Sequence, residues 1–102
     1  MIIINIVAIA KTLDNSMPLG GISEEYFKTI NQFTSSELKL LRFIDIYDNT
    51  FFNKKQLKQL NKEVQFLLNE SNYWVQESNA LKNCIEFILN SPNYDFLWLI
   101  GN

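Results

Sequence analysis

The sequence lacks histidine altogether and contains a single cysteine, Cys84. The absence of histidine removes the commonest general base and the commonest zinc ligand, and a single cysteine excludes an intrachain disulfide. Because Cys84 shares an apolar helix face with Leu81, Ile85 and Ile88, and no histidine or lysine motif nearby would activate it, we predict a buried, unreactive thiol. We therefore expect no metal, no cofactor and no catalytic residue.

Long hydrophobic runs are also missing, since no apolar segment reaches the roughly 18 residues that a membrane-spanning helix requires. The N-terminal segment MIIINIVAIA is apolar, and its residues Ala8 and Ala10 resemble a signal-peptide cleavage site. However, no basic region precedes this run, and it is short for a complete signal peptide, so we interpret it as a strand. Together with the single cysteine, which fits a reducing compartment, this predicts a cytoplasmic protein without a membrane partner.

Charge is distributed unevenly along the chain. The formal net charge is −2; residues 63–102 carry Lys82 against five carboxylates, whereas residues 1–62 carry eight basic and six acidic residues. An acidic C-terminal part weighs against nucleic-acid binding, which needs basic residues facing the phosphates, and favours a basic protein partner. We expect neither nucleic acid nor a small-molecule substrate among the ligands.

The length of 102 residues and the hydrophobic content of 47% predict one domain, residues 1–102, with its own core. Apolar runs at residues 2–10 and 96–100 predict two strands that lie side by side, the first of them covered on both faces. Residues 11–22 contain a proline and two of the three glycines and predict a loop. Helical periodicity dominates the remainder. The expected fold class is α+β, mostly helical, with a small sheet formed by the N-terminal and C-terminal strands.

Caps and apolar stripes predict where the helices begin and end. Ser23, followed by two glutamates, is the expected N-cap of the first helix, because the helix dipole favours negative charge in the first turn. A short second helix is predicted after Ser35 or Ser36, and its apolar residues are Leu38, Leu41 and Phe43. The last helix is predicted from about Tyr73 to Asn90, and its inner face consists of Trp74, Leu81, Ile85 and Ile88.

The stretch IDIYDNTFFNKKQ, residues 44–56, joins two leucine-rich segments and contains many polar residues. Asn53 is the predicted N-cap of the next helix, and Gln56, three residues later, completes a capping box. Phe52 precedes the cap and can form a hydrophobic staple with Leu57. These signals predict a structural corner between two helices.

Three other residues of this stretch, Asp45, Tyr47 and Asp48, are not required by capping. They fit a polar network that fixes the corner, a binding site for a partner, or a small active site built from two carboxylates and a tyrosine. The missing histidine disfavours the active site, and the structural and binding interpretations both stay open.

The sequence IDIYDNTFFNKKQLKQLNKEV resembles a signature of small bacterial proteins, I-D-x-Y-G-D-T-x-F-N-x-x-Q-x-x-x-L-x-x-E. The matching positions are Ile44, Asp45, Tyr47, Thr50, Phe52, Asn53, Gln56, Leu60 and Glu63. Members also tend to end in an aromatic and apolar strand closed by Gly-Asp, and this chain ends FLWLIGN. The chain departs from the pattern at Asp48, Asn49 and Asn102, where Gly, Asp and Asp are usual. The lost carboxylates disfavour a metal site or acid–base chemistry.

Proteins with this signature are similar to immunity proteins of contact-dependent growth inhibition and related polymorphic toxin systems. The resemblance implies a non-catalytic protein that binds the C-terminal domain of a cognate toxin, which we expect to be a nuclease, and blocks its active site one-to-one. The residues that we predict to contact this partner are Asp14, Glu24, Glu70, Glu77, Asp45, Tyr47 and Asp48. The alternatives are a structural or regulatory subunit of a cytosolic complex and a small enzyme that uses Asp45 and Asp48.

Overall fold

Strands occupy both ends of the chain, and helices lie between them. The computed structural model describes residues 2–10, 15–33, 36–70 and 74–101. Within these ranges the elements are β1 (Ile3–Ile9), β2 (Ser16–Ser23), α1 (Glu24–Asn31), a 3₁₀ turn (Leu41–Phe43), β3 (Thr50–Asn53), α2 (Lys54–Glu70), α3 (Val75–Leu89) and β4 (Phe96–Ile100). Helices form the larger share of this regular structure, which confirms the predicted α+β class.

The strands form an antiparallel sheet in the order β2-β1-β4-β3. The first and last strands are neighbours at its centre, with Val7 opposite Trp98 and Ile9 opposite Phe96. This pairing confirms the prediction that the two apolar runs lie side by side.

β2 replaces most of a predicted loop. Our prediction of a loop over residues 11–22 was wrong for residues 16–22, which belong to β2 and pair with β1 apart from residue 19. The strand tolerates Pro18, which has no backbone N–H, because β2 lies at an edge of the sheet. On its outer side no hydrogen bond to a neighbouring strand is required. The register shifts directly after Ile6, and Gly20 opposite it has a φ of 138°, a conformation that favours glycine. The proline and glycines thus shape an irregular edge strand and do not prevent one.

The hydrophobic core lies between the sheet and the helices. Alternate residues of β1, including Ile4 and Ile6, belong to one buried cluster with the inner faces of the helices, as the period of a strand requires. On the other face, Val7 and Ile9 are buried, but Ile3 is 39% exposed. The predicted burial on both faces therefore holds for the second half of β1 and is wrong for its start. The physical reason is that the pairing with β4 does not extend as far as Ile3.

α1 begins at the predicted cap. The Ser23 Oγ accepts a hydrogen bond from the Glu25 N–H at 3.3 Å, and Phe27 and Ile30 of the helix are buried. The predicted N-cap of this helix is therefore confirmed.

The second helix is shorter than predicted. Only the 3₁₀ turn Leu41–Phe43 forms in the described part of this segment; Leu41 is buried, whereas Phe43 is 70% exposed. A single 3₁₀ turn has three residues per turn and cannot maintain the apolar stripe of an α-helix, so Phe43 points away from the core. Of the two candidate caps, Ser36 is exposed and precedes no helix directly, and Ser35 lies outside the described residues.

Glu63 of α2 holds this 3₁₀ turn in place. Its side chain is buried, and its carboxylate accepts hydrogen bonds from the Leu40 N–H at 2.9 and 3.1 Å and from the Leu41 N–H at 2.8 Å. The Gln59 amide donates a further bond at 2.9 Å. A buried carboxylate is tolerated when donors surround it in this way. Glu63 matches the signature, and its contacts show that this position supports the fold.

The two long helices, α2 and α3, pack against each other. Their apolar stripes are buried as predicted: Leu57, Leu60, Val64 and Leu67 in α2, and Leu81, Ile85 and Ile88 in α3. α2 ends at Glu70 and α3 begins at Val75; the predicted start at Tyr73 lies outside the described residues. Among the helices of the described ranges, none is long and apolar enough to cross a membrane.

Candidate functional site

The polar stretch 44–56 forms a corner between a strand and a helix. β3 ends at Asn53 and α2 begins at Lys54. Our prediction of a corner between two helices was wrong because Thr50–Asn53 pairs with β4. The predicted capping box is confirmed: the Asn53 Oδ1 accepts the Gln56 N–H at 2.8 Å, and the Gln56 Oε1 accepts the Asn53 N–H at 2.9 Å.

The carboxylates of Asp45 and Asp48 shape the turn that leads into this corner. Both residues are exposed. The Asp45 Oδ1 accepts the Tyr47 N–H at 2.8 Å, and the Asp48 Oδ1 accepts the Asn49 N–H at 2.7 Å. Such local bonds are typical of aspartate in turns. Among the described residues no group of three or more cysteine, aspartate or glutamate side chains is placed to hold a metal ion.

Two further contacts fix the corner. Phe52 and Leu57 flank the cap as the predicted staple requires, and both are buried in the same core cluster. Gly101 lies against the backbone of Asp48, where a Cβ atom on residue 101 would overlap the N, C and O atoms of Asp48. The two segments that resemble the signature therefore meet in space, and glycine at 101 allows the close approach.

Beside the corner the chain exposes two aromatic side chains, Phe43 and Tyr47, which are 70% and 71% accessible. With Lys28 and Arg42 they line an open hollow of about 590 Å³. The Arg42 guanidinium lies 5.3 Å from the centre of the Phe43 ring, which is a cation–π distance. The sequence indicated Tyr47 as a candidate contact residue but missed Phe43, which helical spacing had assigned to the core.

The acidic residues predicted to contact a partner have different environments. Asp14 lies outside the described residues. Glu24 is 4% exposed, and its carboxylate pairs with the Lys28 Nζ at 2.9 Å; this hydrogen bond raises the pKa of Lys28 above its ordinary value. Glu24 is therefore not the surface charge that we predicted, because α1 packs it inward. Glu70 is exposed at the end of α2, and Glu77 is partly exposed in the first turn of α3.

A second hollow, of about 610 Å³, lies where the start of α3 approaches the end of β2 and the start of α1. Ile3, Ile22 and Trp74 supply apolar surface, and Glu25 and Glu77 add carboxylates. None of the described residues that line this hollow is lysine or arginine. Lys28, which is not among the residues of this lining, lies 3.6 Å from the Glu25 carboxylate. Apolar surface beside two carboxylates suits a partner that is both apolar and basic.

Trp74 reaches this hollow through an unusual backbone conformation. It precedes α3 with a φ of 61°, which is rare for a residue with a large side chain. Its ring meets the Tyr26 ring edge-on at 6.0 Å, and the Tyr26 hydroxyl lies 2.9 Å from the Ser78 hydroxyl. Burial raises the pKa of Tyr26 to about 12. The prediction that Trp74 lies inside the last helix was wrong, because α3 begins at Val75, but the ring does pack against the core, where it is partly buried.

A smaller hollow of about 260 Å³ continues the second one along β2. The two share Gly21, Ile22 and Ala80, and the smaller one extends to Leu19 and Cys84. We name these two adjoining hollows the edge groove. Cys84 is partly buried here and not fully buried as predicted, because the groove opens beside it; burial still raises the pKa of its thiol.

Comparison with known proteins adds no relative to these observations. No family model, no curated protein and no solved structure matches the chain. The functional interpretation therefore depends on the surfaces described above.

Proposed function

We propose that this protein is an immunity-type inhibitor that binds a bacterial toxin domain in the cytoplasm and covers its active site. The observation that carries the proposal is the edge groove, where apolar side chains lie beside the carboxylates of Glu25 and Glu77. A toxin that cleaves nucleic acid needs a basic cleft, because the cleft must hold phosphates. An apolar and acidic surface complements such a cleft and can occlude it.

The charges around the groove support this function. Glu25 and Glu77 come from the first turns of α1 and α3, and both line the groove. The Lys28 Nζ lies 3.6 Å from the Glu25 carboxylate, but such exposed ion pairs are weak and leave that carboxylate open to a partner's cation. Charges at the rim of an interface chiefly accelerate association and select the partner.

Aromatic side chains supply the anchors that tight binding needs. Trp74 lines the groove, and Phe43 and Tyr47 are exposed beside the corner. Lys28 lines the hollow of Phe43 and Tyr47 and also contacts Glu25, so α1 connects the two areas into one surface. Buried aromatic rings commonly contribute the largest shares of binding energy at protein interfaces.

The same surface would serve a regulatory subunit that binds a basic protein, and the identity of the partner separates these two functions. A catalytic role for Asp45 and Asp48 has less support, since both carboxylates already accept hydrogen bonds from the neighbouring backbone. Binding without catalysis is therefore the function that the geometry supports best.

Titration of toxin activity tests stoichiometric inhibition. Under this proposal we expect a toxin gene beside this one, and the toxin domain that such a gene encodes is assayed with increasing amounts of the protein. We expect activity to fall in proportion to the added protein and to vanish at a one-to-one ratio, with a one-to-one complex on size exclusion. Inactivation of many toxin molecules by one molecule of this protein would show catalysis, and failure to inhibit or to form a complex would contradict the proposal.

The rate of association tests the role of Glu77. Glu77→Gln removes one negative charge from the groove. Its control, Asn79→Lys, changes the net charge by the same amount. Asn79 is exposed on α3 and is not among the residues lining the groove. We expect Glu77→Gln to slow association several-fold at low salt and Asn79→Lys to slow it less, with little change in dissociation. Equal effects of the two variants would mean that net charge alone steers the encounter.

A further inference from the structure

β2 has an open edge on the side away from β1. Within the described ranges it pairs with β1 alone, so part of its backbone N–H and C=O groups point outward with no strand to receive them. Natural edge strands are usually guarded by lysine, proline or a bulge. Here Pro18 and Leu19, which has no partner in β1, lie before residues 20–23. These four residues pair one by one with β1 and carry no charge. This segment is the unguarded part of the edge.

The edge groove runs beside this unguarded segment. Gly20 and Gly21 have no side chains, and Ala80 of α3, which also lines the groove, has a small one. Ile6 and Cys84 contribute further surface to the same hollow. An extended chain placed beside β2 would meet little obstruction, and the side chains on one of its faces would enter the groove.

The charges at the wider end of the groove indicate the chemistry of the segment that fits. Glu25 and Glu77 line this end, and the described lining contains no lysine or arginine. The narrower end is lined by Ile6, Leu19 and Cys84. In an extended segment, residues two positions apart point to the same side. An apolar residue of the segment would therefore fill the narrow end, while a basic residue two positions away would face the carboxylates at the wide end.

We propose that the edge groove receives an extended segment of the partner, which pairs with Gly20–Ser23 of β2 as an additional strand and carries an apolar and a basic residue two positions apart. Backbone hydrogen bonds to β2 supply affinity that does not depend on sequence, while the groove and its carboxylates select the side chains. The inference rests on the proposed function in taking this segment to belong to the toxin domain.

Heteronuclear NMR with a defined peptide tests the groove without any toxin. The probe is acetyl-Thr-Val-Thr-Lys-Thr-Lys-Thr-amide, and its control carries glutamate in place of both lysines. We expect the lysine peptide to shift the amide signals of Gly20 and Gly21 and to slow hydrogen exchange in Gly20–Ser23, while Gly101 stays unchanged as an internal reference. The glutamate peptide should produce neither effect. Shifts without slower exchange, or equal effects of both peptides, would overturn strand addition.

Two matched variants of α3 locate the peptide. Ala80→Arg places a long side chain in the groove, and Asn79→Arg places the same side chain at an exposed neighbouring position that is not among the residues lining the groove. Both are surface changes, so both proteins should fold. We expect Ala80→Arg to weaken peptide binding at least about tenfold, or 1.4 kcal/mol, and Asn79→Arg to leave it near the parent value. Equal affinity for the two variants would place the peptide elsewhere and contradict the inference.

Two further measurements, one with the toxin domain and one with the protein alone, separate the groove proposal from the proposed function and from self-association. Peptide binding without toxin binding would uphold the groove and refute the proposed function, whereas toxin binding that Ala80→Arg does not weaken would refute the groove and uphold the function. Protection of Gly20–Ser23 that grows with protein concentration alone, together with dimerisation, would show that a second copy occupies the edge. That result would overturn the assignment to a partner's segment.

Discussion

The corner at residues 44–56 and the edge groove use their polar groups in opposite ways. At the corner, Asp45, Asp48 and Asn53 are hydrogen-bonded to the backbone of residues at most three positions away. In the groove, the outer edge of β2 pairs with no other strand of the described ranges, and Glu77 contributes its carboxylate to the lining. Polar groups that bond to each other stabilise a local structure, whereas groups left at an open surface are available to a partner. The comparison assigns stability to the corner and binding to the groove.

The comparison also bears on what the resemblance to immunity proteins means. Residues that match the signature make contacts within the protein: Asn53 and Gln56 cap α2, and Glu63 holds the 3₁₀ turn. Gly101 of the C-terminal match packs against Asp48. Asn53, Gln56, Glu63 and Gly101 thus support the fold, whereas Tyr47, which also matches the signature, is exposed.

The largest effect is expected from Glu63→Ala. The change leaves the buried N–H groups of Leu40 and Leu41 without their acceptor, and we expect the free energy of unfolding to fall by about 3 kcal/mol or more. Urea unfolding measures this loss. Glu70→Ala, at an exposed position of the same helix, is the control and should unfold near the parent midpoint. A parent-like midpoint for Glu63→Ala would refute the support that we assign to Glu63.

A smaller loss is expected from Gly101→Ala, because the added Cβ overlaps the Asp48 backbone. We expect about 2 kcal/mol of destabilisation, typical of overpacking at a close contact, measured by thermal or denaturant unfolding. Asp48→Ala is the matched control, since it removes a carboxylate and keeps the backbone atoms that Gly101 touches. If Asp48→Ala costs more than Gly101→Ala, the carboxylate matters more than the close approach.

Asn53→Ala is expected to cost about 1 kcal/mol, within the usual range for a lost N-cap, and to leave the affinity for the partner unchanged. Asn53→Asp keeps an acceptor for the first helical turn and should recover most of the loss. Denaturant unfolding and a binding titration measure the two quantities. Unchanged stability with lost binding would reverse the roles that we assign to the corner and the groove.

The smallest perturbation uses Cys84 as a reporter of the groove. Burial raises the pKa of its thiol, so less thiolate is present near neutral pH and labelling by a thiol reagent should be slower in the native protein than in the unfolded one. The lysine peptide or the toxin domain should slow native labelling further, because both would cover the groove. Labelling that is equally fast with and without these ligands would indicate that the groove stays open.

Local signals in the sequence predicted the elements that depend on local contacts. The caps at Ser23 and Asn53 join residues two or three positions apart, and the helical stripes repeat every few residues. β2 was missed because Pro18 and Gly20 disfavour strands by propensity, while pairing with β1 imposes the strand through long-range contacts. Phe43 was misplaced because the segment before it forms a 3₁₀ turn that no local signal distinguishes from a helix.

The edge groove could not be predicted for a related reason. Ile3, Glu25 and Glu77 belong to three different elements and meet through the packing of the sheet against the helices. Of the acidic residues that the sequence selected as partner contacts, Glu77 is partly exposed and lines the groove, whereas Glu24 turns inward. Glu24 and Glu25 are adjacent at the start of α1, and the packing of the helix decides which of them is buried. The sequence of two glutamates does not indicate which one faces the core.

Hydrogen–deuterium exchange of the protein with and without the toxin domain tests the central claim most directly, because it reports the corner and the groove in one experiment. We expect complex formation to protect the backbone amides of residues 20–23 and to leave residues 50–56, which form the capped part of the corner, with their exchange rates in the free protein. Protection confined to residues 50–56, with β2 unchanged, would contradict the assignment of binding to the groove and stability to the capped corner.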